Sequence, residues 1–428
     1  MQLRRTPAWA VLATTAAITL TGCVSAPATG PIGEHAPQAP VLDPAIADGA
    51  AGDVTICGNR DNGTYSKLTE SFNAKDTGVT AHYLEIGQDT DSTRTQAIQR
   101  LEGGSRGCDI YLMDVTWVSE WAAQGWIQDH SRLVEAHRSD LIPSTLETAR
   151  YDGRFWAVPL YTNAGLLFYR QDRVPPPTTW SQVYASAAAD PQHQVEMQGK
   201  RYEGLTVNFL EMLYSAGGSV IDERGNVTVD SPQTRAVLRL LTEGLESGAV
   251  DRASLTYDED GGRRAYESGR AGYLRQWPSA LKQIEQTGAG PGTAVAALPA
   301  FDEHSRPAAV LGGWNLAVAA KADNPAGSVA VIDYATSAEF QKIMVLEHSQ
   351  APVHAATYDD PQVIAELPFI PQLKQSVLSA KPRPKSPVYA QLSRAVYRNV
   401  YQVISGQTDV ESGVRKMAED VRTAQETF

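Results

Sequence analysis

The chain is poor in cysteine, in positive charge and in long apolar runs. Only three of its 428 residues are cysteines, and 37 Lys and Arg stand against 49 Asp and Glu, giving a formal net charge of −12. This balance argues against nucleic acid as a partner, because phosphate binding needs a basic surface. Beyond the N-terminus, no segment has the roughly 18 consecutive apolar residues that a membrane-spanning helix needs.

Common catalytic and metal-binding motifs are also missing. The chain contains neither GxxxxGK[ST] nor HExxH, and its eight histidines have no ligand-like spacing. The string GGSRG at residues 103–107 has the letters of a nucleophile elbow around Ser105. An elbow needs a strand before it and a helix after it, whereas the pattern here predicts a helix, a turn and then a strand. We therefore predict no catalytic residue, no metal ion and no cofactor.

The N-terminus has the pattern of an export signal. Arg4 and Arg5 precede a short apolar run at residues 8–20, which is followed by LTGC ending at Cys23. LTGC resembles the bacterial lipobox, in which the cysteine is diacylated; the alternative is an ordinary secretory signal with a chance cysteine. We predict a signal peptide over residues 1–22 and a lipid anchor on Cys23. The protein would then be held at the extracytoplasmic face of the cell membrane, with a mature charge of −12 − 2 = −14.

The next segment is rich in Pro, Ala and Gly, so residues 23–52 are predicted to form a lipidated cysteine and flexible tether. Two cysteines remain in the body, Cys57 and Cys108. An exported compartment permits a disulfide, and an even count fits one. The alternative is a pair of buried free thiols. The disulfide is favoured because both cysteines fall on neighbouring predicted strands.

The body begins with alternating strands and helices. Strands are predicted at 54–57, 79–84 and 108–113, with helices at 64–73 and 92–101 between them. This alternation indicates βαβ units and a mostly parallel sheet, in which ligands bind beyond the carboxyl ends of the strands. The third strand, in YLMDVTW, ends at Asp114, so this carboxylate is a candidate ligand contact.

Several strings, taken as a set, resemble the family 1 extracellular solute-binding proteins, the sugar receptors of ABC importers. They are DIYLMDVTWVSEWAAQGWI, WAVPLYTNAGLLFYRQDRVPPPTTW, SAGGSVID, AYESGRAGYLRQWP, LGGWNLAV and RPKSPVY. The likeness spans residues 53–428. Within the family, the combination of MDVTW, YTN, RQWP, GGWN and RPxxPVY is most similar to the trehalose-binding lipoproteins of actinobacteria.

The resemblance implies a type II periplasmic-binding-protein-like fold, with two α/β lobes around a ligand cleft. Lobe 1 would take residues 53–161 plus 310–357, and lobe 2 residues 162–309 plus 358–428. The function implied is capture of a disaccharide, with trehalose ahead of maltose, sucrose and other α-glucosides. The partners implied are the transmembrane subunits of an ABC permease with their ATPase. We expect a monomer that is not an enzyme.

The resemblance also assigns ligand-binding positions, since a sugar needs acceptors for its hydroxyls and an aromatic face for its C–H groups. The predicted ligand-binding residues are Asp61, Asp114, Asn163, Glu259, Trp277, Gly312, Gly313 and Arg383. Asp61 rests only on its position after the first strand.

Each of these positions has a structural alternative. Asp114 would cap the following helix, Asn163 would be a turn residue, and Trp277 a core residue. Glu259 would be first-turn charge, with its register open against Asp258 and Asp260.

The two glycines would form a strand bulge, and Arg383 would be a solvated charge, with Lys381 and Lys385 as its possible substitutes. Trp117 and Trp314 are interpreted as core or rim residues.

Three rival functions remain open at this point. A glycosidase would use Asp114 and Glu259 as paired carboxylates. A binding lipoprotein for a polyol or a peptide would share the fold, and a structural envelope lipoprotein would have no ligand.

Overall fold

The computed structural model describes residues 37–222 and 224–426. The predicted signal peptide, the Cys23 anchor and the tether up to residue 36 lie outside the described residues.

Strands and helices alternate through the described chain. The strands are β1 (Gly52–Asn59), β2 (Val79–Gly87), β3 (Ile110–Asp114), β4 (Arg150–Tyr151), β5 (Arg154–Phe155), β6 (Val158–Ala164), β7 (Leu166–Arg170), β8 (Gln194–Glu196), β9 (Ala271–Gln276), β10 (Thr293–Ala297), β11 (Leu311–Val318) and β12 (Ala351–Pro352).

The α-helices are α1 (Thr64–Asn73), α2 (Thr90–Glu102), α3 (Val118–Ala123), α4 (Ser131–His137), α5 (Pro143–Leu146), α6 (Trp180–Ala189), α7 (Glu203–Ser215), α8 (Pro232–Glu246), α9 (Glu259–Glu267), α10 (Ala280–Gln286), α11 (Pro325–Thr336), α12 (Ala338–His348), α13 (Pro361–Glu366), α14 (Ile370–Ser379), α15 (Tyr389–Ile404) and α16 (Val410–Gln425). None of these helices is both long and apolar enough to cross a membrane.

Six strands form the first sheet, in the order β12–β6–β11–β3–β1–β2. The pairs β1/β2 and β1/β3 are parallel, as the βαβ pattern predicts, and β11 is antiparallel to both β3 and β6. The strand that ends at Asp114 is therefore in the interior of this sheet. Its five residues are all buried, which explains why it reads as a continuous apolar run.

Four strands form the second sheet, in the order β10–β7–β9–β8. β7 is antiparallel to β9 and β10, while β8 is parallel to β9. Only Gly165 separates β6 of the first sheet from β7 of the second.

Each sheet has its own apolar core. The first includes Phe72, Trp121 and Trp156, and the second includes Phe168 and Phe209, all fully buried. The prediction of a two-lobe α/β fold is confirmed. The limits of the two lobes stay a prediction.

Local signals account for the helices that border the space between the sheets. Asp89 caps α2, since its carboxylate accepts a 2.8 Å hydrogen bond from Ser92 N while the Ser92 hydroxyl accepts one from Asp89 N. α7 begins at Glu203 and is buried along nearly its whole length, so tertiary packing stabilises it.

The segment before β1 differs from its prediction. Leu42 is buried, and its amide donates a 2.8 Å hydrogen bond to Asp129 O, while Asp129 N donates one of 2.9 Å to Pro40 O. Residues Pro44–Ala47 form a 3-10 helix, and Gly52 already belongs to β1. The prediction of a flexible tether is therefore wrong for residues 37–52. Composition alone did not reveal that one leucine and a few backbone hydrogen bonds dock this segment.

Cys57 and Cys108 are joined in the structure, with a Cα–Cα distance of 5.7 Å. Cys57 lies on β1 and Cys108 two residues before β3, the neighbouring parallel strand. This arrangement agrees with the neighbouring strands on which the pairing was predicted.

Candidate functional site

A polar cleft lies between the two cores, at the carboxyl ends of β1, β3 and β6 and beside the end of β9. Its cavity volume is about 170 Å³, and the cleft is open to solvent on one side. Seven of the eight predicted ligand residues line it, namely Asp114, Asn163, Glu259, Trp277, Gly312, Gly313 and Arg383. The structure therefore brings these seven residues together in one cleft, and their contact with a ligand stays a prediction.

Arg383 connects the two halves of the cleft. Its Nη2 lies 3.1 Å from Asp114 Oδ1, and its Nη1 lies 2.6 Å from Glu203 Oε1. All three side chains are buried. Burial lowers the pKa of Arg383, but the carboxylate of Asp114, together with Tyr389 and Glu203, outweighs it and raises that pKa overall. Arg383 is thus not the solvated charge that the structural alternative proposed.

Glu203 was missed by the sequence analysis. It accepts hydrogen bonds from Arg383, from Tyr389 OH at 2.6 Å, and from the Ser393 hydroxyl. Burial raises the pKa of the Glu203 carboxyl, while Arg383 opposes that shift. Glu203 stands at the start of an apolar helix and belongs to no recognisable motif. Its partners lie at least 180 residues further along the chain.

Asp114 also fixes the turn that follows its strand. Its Oδ1 accepts 2.9 Å and 2.7 Å hydrogen bonds from the amide and hydroxyl of Thr116. Trp117 is the N-cap residue of α3, and no side-chain hydrogen bond caps this helix. Asp114 therefore does not cap α3. It holds the turn at Thr116 and forms an ion pair with Arg383.

Asn163 presents an unused acceptor. It is buried at the end of β6 and is paired in register with Gly312 on β11. Its Oδ1 has no hydrogen-bond partner among the described residues. A buried amide oxygen without a partner is costly, so it favours a ligand that brings a donor.

The two glycines allow close approach at this edge of the first sheet. A Cβ on Gly312 would lie 3.1 Å from Trp277 Cη2, so the glycine leaves room for the indole. Gly313 has φ +130°, and a Cβ there would lie 2.4 Å from Tyr161 O. The register shift on β11 comes one position later, between Trp314 and Asn315.

Trp277 is backed by a buried cation. Arg275 Cζ lies 4.1 Å from the indole centroid, and Arg275 is itself fixed by Glu211 through a 2.7 Å Nε–Oε2 hydrogen bond and a 2.5 Å Nη2–Oε1 hydrogen bond. Trp277 is partly exposed and lines the cleft. One indole face is therefore covered by guanidinium. This support could not be predicted from the sequence, because Arg275 and Glu211 are 64 residues apart and share no motif.

The carboxylate of Glu259 is the one that contacts Trp277. Its Oε1 accepts a 3.4 Å hydrogen bond from Trp277 Nε1, and its Oε2 accepts one of 2.6 Å from Tyr202 OH. Burial raises the pKa of Glu259. Asp258 instead caps α9 through Gly261 N at 3.1 Å, although it too lines the cleft.

Asp61 does not line the cleft with the others. Its carboxylate accepts hydrogen bonds from the amides of Gly63 at 2.9 Å, Tyr65 at 3.0 Å and Ser66 at 2.9 Å. Its neighbours Arg60 and Asn62 line the cleft in its place. The structure therefore places Asp61 outside the cleft lining, where its carboxylate holds the first turn of α1 through these amides and not a ligand.

Ion pairs also cross the mouth of the cleft. Arg60, after β1, contacts Asp260 on α9, and Lys200 Nζ lies 3.1 Å from Asp89 Oδ2. These side chains are 19–45% exposed, so each pair contributes little energy alone. They connect the same two halves of the cleft that Arg383 connects from within.

Trp117 and Trp314 agree with their interpretation as core or rim residues. Trp117 is buried and stacks on Trp121, with a centroid distance of 5.4 Å. Trp314 packs edge-on against Trp117 and also lines the cleft.

Residues 58–342 match the family model of the bacterial extracellular solute-binding proteins. The match covers more than half of the chain, so the chain belongs to this family. A curated relative from Deinococcus radiodurans, named "Probable ABC transporter-binding protein", is 32% identical over 78% of this chain and 83% of its own length. A mannitol-binding protein from Pseudomonas aeruginosa is 22% identical over 76% of this chain and 79% of its own.

Solved structures support the same architecture. The structure of maltose-bound MalE3 from T. maritima has a TM-score of 0.82 at 27% identity, covering 87% of this chain and all of that one. The GacH receptor of Streptomyces glaucescens, described unliganded and with acarbose, has a TM-score of 0.79 at 23% identity, covering 88% and 99%. The second likeness shows the fold alone.

Proposed function

We propose that this chain is the substrate-binding lipoprotein of an ABC importer that captures a disaccharide in the cleft and delivers it to the membrane permease. Trehalose is the first choice, ahead of maltose, sucrose and other α-glucosides. The relative named for ABC transport and the maltose-bound structure support the transport class and the kind of sugar. A polyol is the second candidate, because one relative is a mannitol-binding protein.

The observation that carries this proposal is the pairing of Asn163 with Trp277 in one cleft. The Asn163 Oδ1 is a buried acceptor without a donor among the described residues, and Trp277 has one face already covered by Arg275. A sugar ring would stack its C–H face on the other indole face and bring hydroxyl donors to the acceptors. Neutral hydroxyls and apolar ring faces occur together in saccharides, so this combination fits them better than peptides.

A calorimetric panel tests the substrate class. Trehalose, maltose, sucrose and mannitol are titrated into the purified protein, and we expect a disaccharide to bind more tightly than mannitol. If mannitol binds more tightly than every disaccharide, the ligand class is a polyol and the disaccharide proposal is wrong. The same mixtures are analysed for released glucose, because a hydrolase would form product while a receptor leaves the sugar intact.

The anchor is proposed on LTGC alone. The Cys23→Ala substitution removes the thiol that would be acylated. We therefore expect the variant either in the soluble fraction or as an unprocessed precursor. Membrane fractionation with mass spectrometry of the N-terminus checks this. Wild-type processing and membrane retention of the variant would contradict the anchor.

A further inference from the structure

The cleft is lined by more acidic than basic side chains. The described acids that line it are Asp89, Asp114, Glu203, Asp258, Glu259 and Asp260. The described bases that line it are Arg60 and Arg383, with Lys200 at the mouth. The excess is on the acidic side, so the pairing of each cation decides what ligand charge the cleft can accept.

Each of these cationic side chains already forms an ion pair with an acidic residue of the protein. Arg383 lies within 3.1 Å of one carboxylate and 2.6 Å of another. Arg60 contacts Asp260 and also Gln88. Lys200 lies 3.1 Å from one acid and 3.7 Å from a second. A phosphate or carboxylate on a ligand would therefore have to break an existing ion pair to find a partner.

Glu259 is the exception among the acids that line the described cleft, because no Lys, Arg or His lies within 4 Å of its carboxylate. Its partners are the neutral donors Tyr202 OH and Trp277 Nε1, the latter at a long 3.4 Å. Lys200 acts on this carboxylate only at longer range, and a shielded carboxylate without a cation in direct contact is costly, so the cost falls when a cation arrives.

A second position in the cleft has the same preference. The Asn163 Oδ1 is buried, lacks a partner among the described residues and can only accept. Arg383 Nε also lacks a partner, but its guanidinium charge is already balanced by two carboxylates. The unfilled capacity at Glu259 and Asn163 calls for ligand donors.

Resting on the proposed sugar-binding function, we propose that Glu259 sets the charge selectivity of the cleft. It receives a protonated amine on the ligand, so the protein binds amino sugars more tightly than their neutral parents and rejects anionic sugars. A neutral hydroxyl already makes a charge-assisted hydrogen bond to this carboxylate, and an ammonium in its place adds an ion pair, for which we expect a gain of about tenfold in affinity.

The test uses trehalose, two amino-deoxytrehaloses with the amine at carbon 2 or carbon 6, and trehalose 6-phosphate, each titrated calorimetrically. We expect at least one amino sugar to bind about tenfold more tightly than trehalose, and the phosphate to bind more weakly than trehalose. Equal affinity for the neutral and both amino sugars, or tight binding of the phosphate, would overturn the proposal.

Two variants assign the effect. In Glu259→Gln the amino-sugar preference should disappear, while Glu285→Gln should keep it. Glu285 is an acid on α10 of the same lobe, 45% exposed and paired with Lys282, and it does not line the cleft. A preference that survives in Glu259→Gln would overturn the assignment. If that variant fails to fold, the wild-type comparison across the four sugars still decides whether the cleft prefers cationic sugars.

Failure of the two proposals gives different results. If trehalose and the other neutral disaccharides bind but the amino sugars gain nothing, only the charge selectivity is wrong. If no saccharide binds the folded protein, the proposed function is wrong and the selectivity is rejected with it.

Discussion

Arg383 provides the sharpest test of how the cleft is built. Arg383→Met keeps most of the length of the side chain and removes the charge that lies between Asp114 and Glu203. Both carboxylates then remain buried without a cation. Removing one partner of a buried ion pair costs about 3–5 kcal/mol, because the other charge stays desolvated. The free energy of unfolding should fall by that amount at neutral pH.

Thermal unfolding followed by circular dichroism measures this loss. A change of that size should lower Tm by roughly 3–6 °C in a chain this large. The matched control is Lys385→Met, which also replaces a cationic side chain by methionine, two residues further along the same loop. Lys385 Nζ lies 3.1 Å from Glu147 Oε2, but the two side chains are 45% and 52% exposed. That pair should contribute about 0–1 kcal/mol.

The pH dependence gives the same experiment a second readout. Burial raises the pKa of Glu203, and Arg383 opposes that shift, so removing Arg383 should raise the pKa further. The folded variant then holds a proton that the unfolded chain releases above a pH of about 4.3. Stability must fall as pH rises through this window, because the folded state binds more protons. The loss should therefore be largest near neutral pH and shrink towards about pH 4–5. If Arg383→Met costs no more than Lys385→Met at neutral pH, the coupling of the two lobes through Arg383 is wrong.

Two further predictions concern the indole and the cysteines. Trp277→Ala removes the stacking face, and we expect an affinity loss of about 2 kcal/mol or more by calorimetry, with the circular dichroism spectrum unchanged; wild-type affinity in the folded variant would place the sugar elsewhere. Mass spectrometry without reductant should recover a peptide pair linked through Cys57 and Cys108, which are 51 residues apart, because the exported compartment favours oxidation. Complete alkylation of both thiols in unreduced, denatured protein would reject the bond.

The sequence predicted those parts of the fold and cleft that depend on local pattern. Asp114 could be placed because a buried strand ended there, and strand ends in parallel sheets face ligand clefts. The register at α9 could not be read, since Asp258, Glu259 and Asp260 are all polar residues at a helix start. It was resolved by Tyr202, which lies 57 residues earlier in the chain.

Long-range pairing explains what the sequence analysis missed. Glu203 and Arg383 are 180 residues apart, and Arg275 and Glu211 are 64 apart, so no local spacing marks either pair. Asp61 was misassigned because a strand end and a helix start coincide within a few residues. The strand-end rule favours a ligand role at such a position, whereas the free amides of α1 are closer partners.

The order of strands in the first sheet has a consequence for how the chain emerges during synthesis and export. β11 lies between β3 and β6, yet it follows them by about 150 residues or more along the chain. Until Leu311–Val318 has emerged, β3 and β6 each present an unpaired edge, which is a template for wrong association. The second sheet is complete once Ala297 is available. The sheet whose strands appear first in the sequence is thus the later of the two sheets to be completed, and a nascent chain stalled before β11 would need its open edges protected.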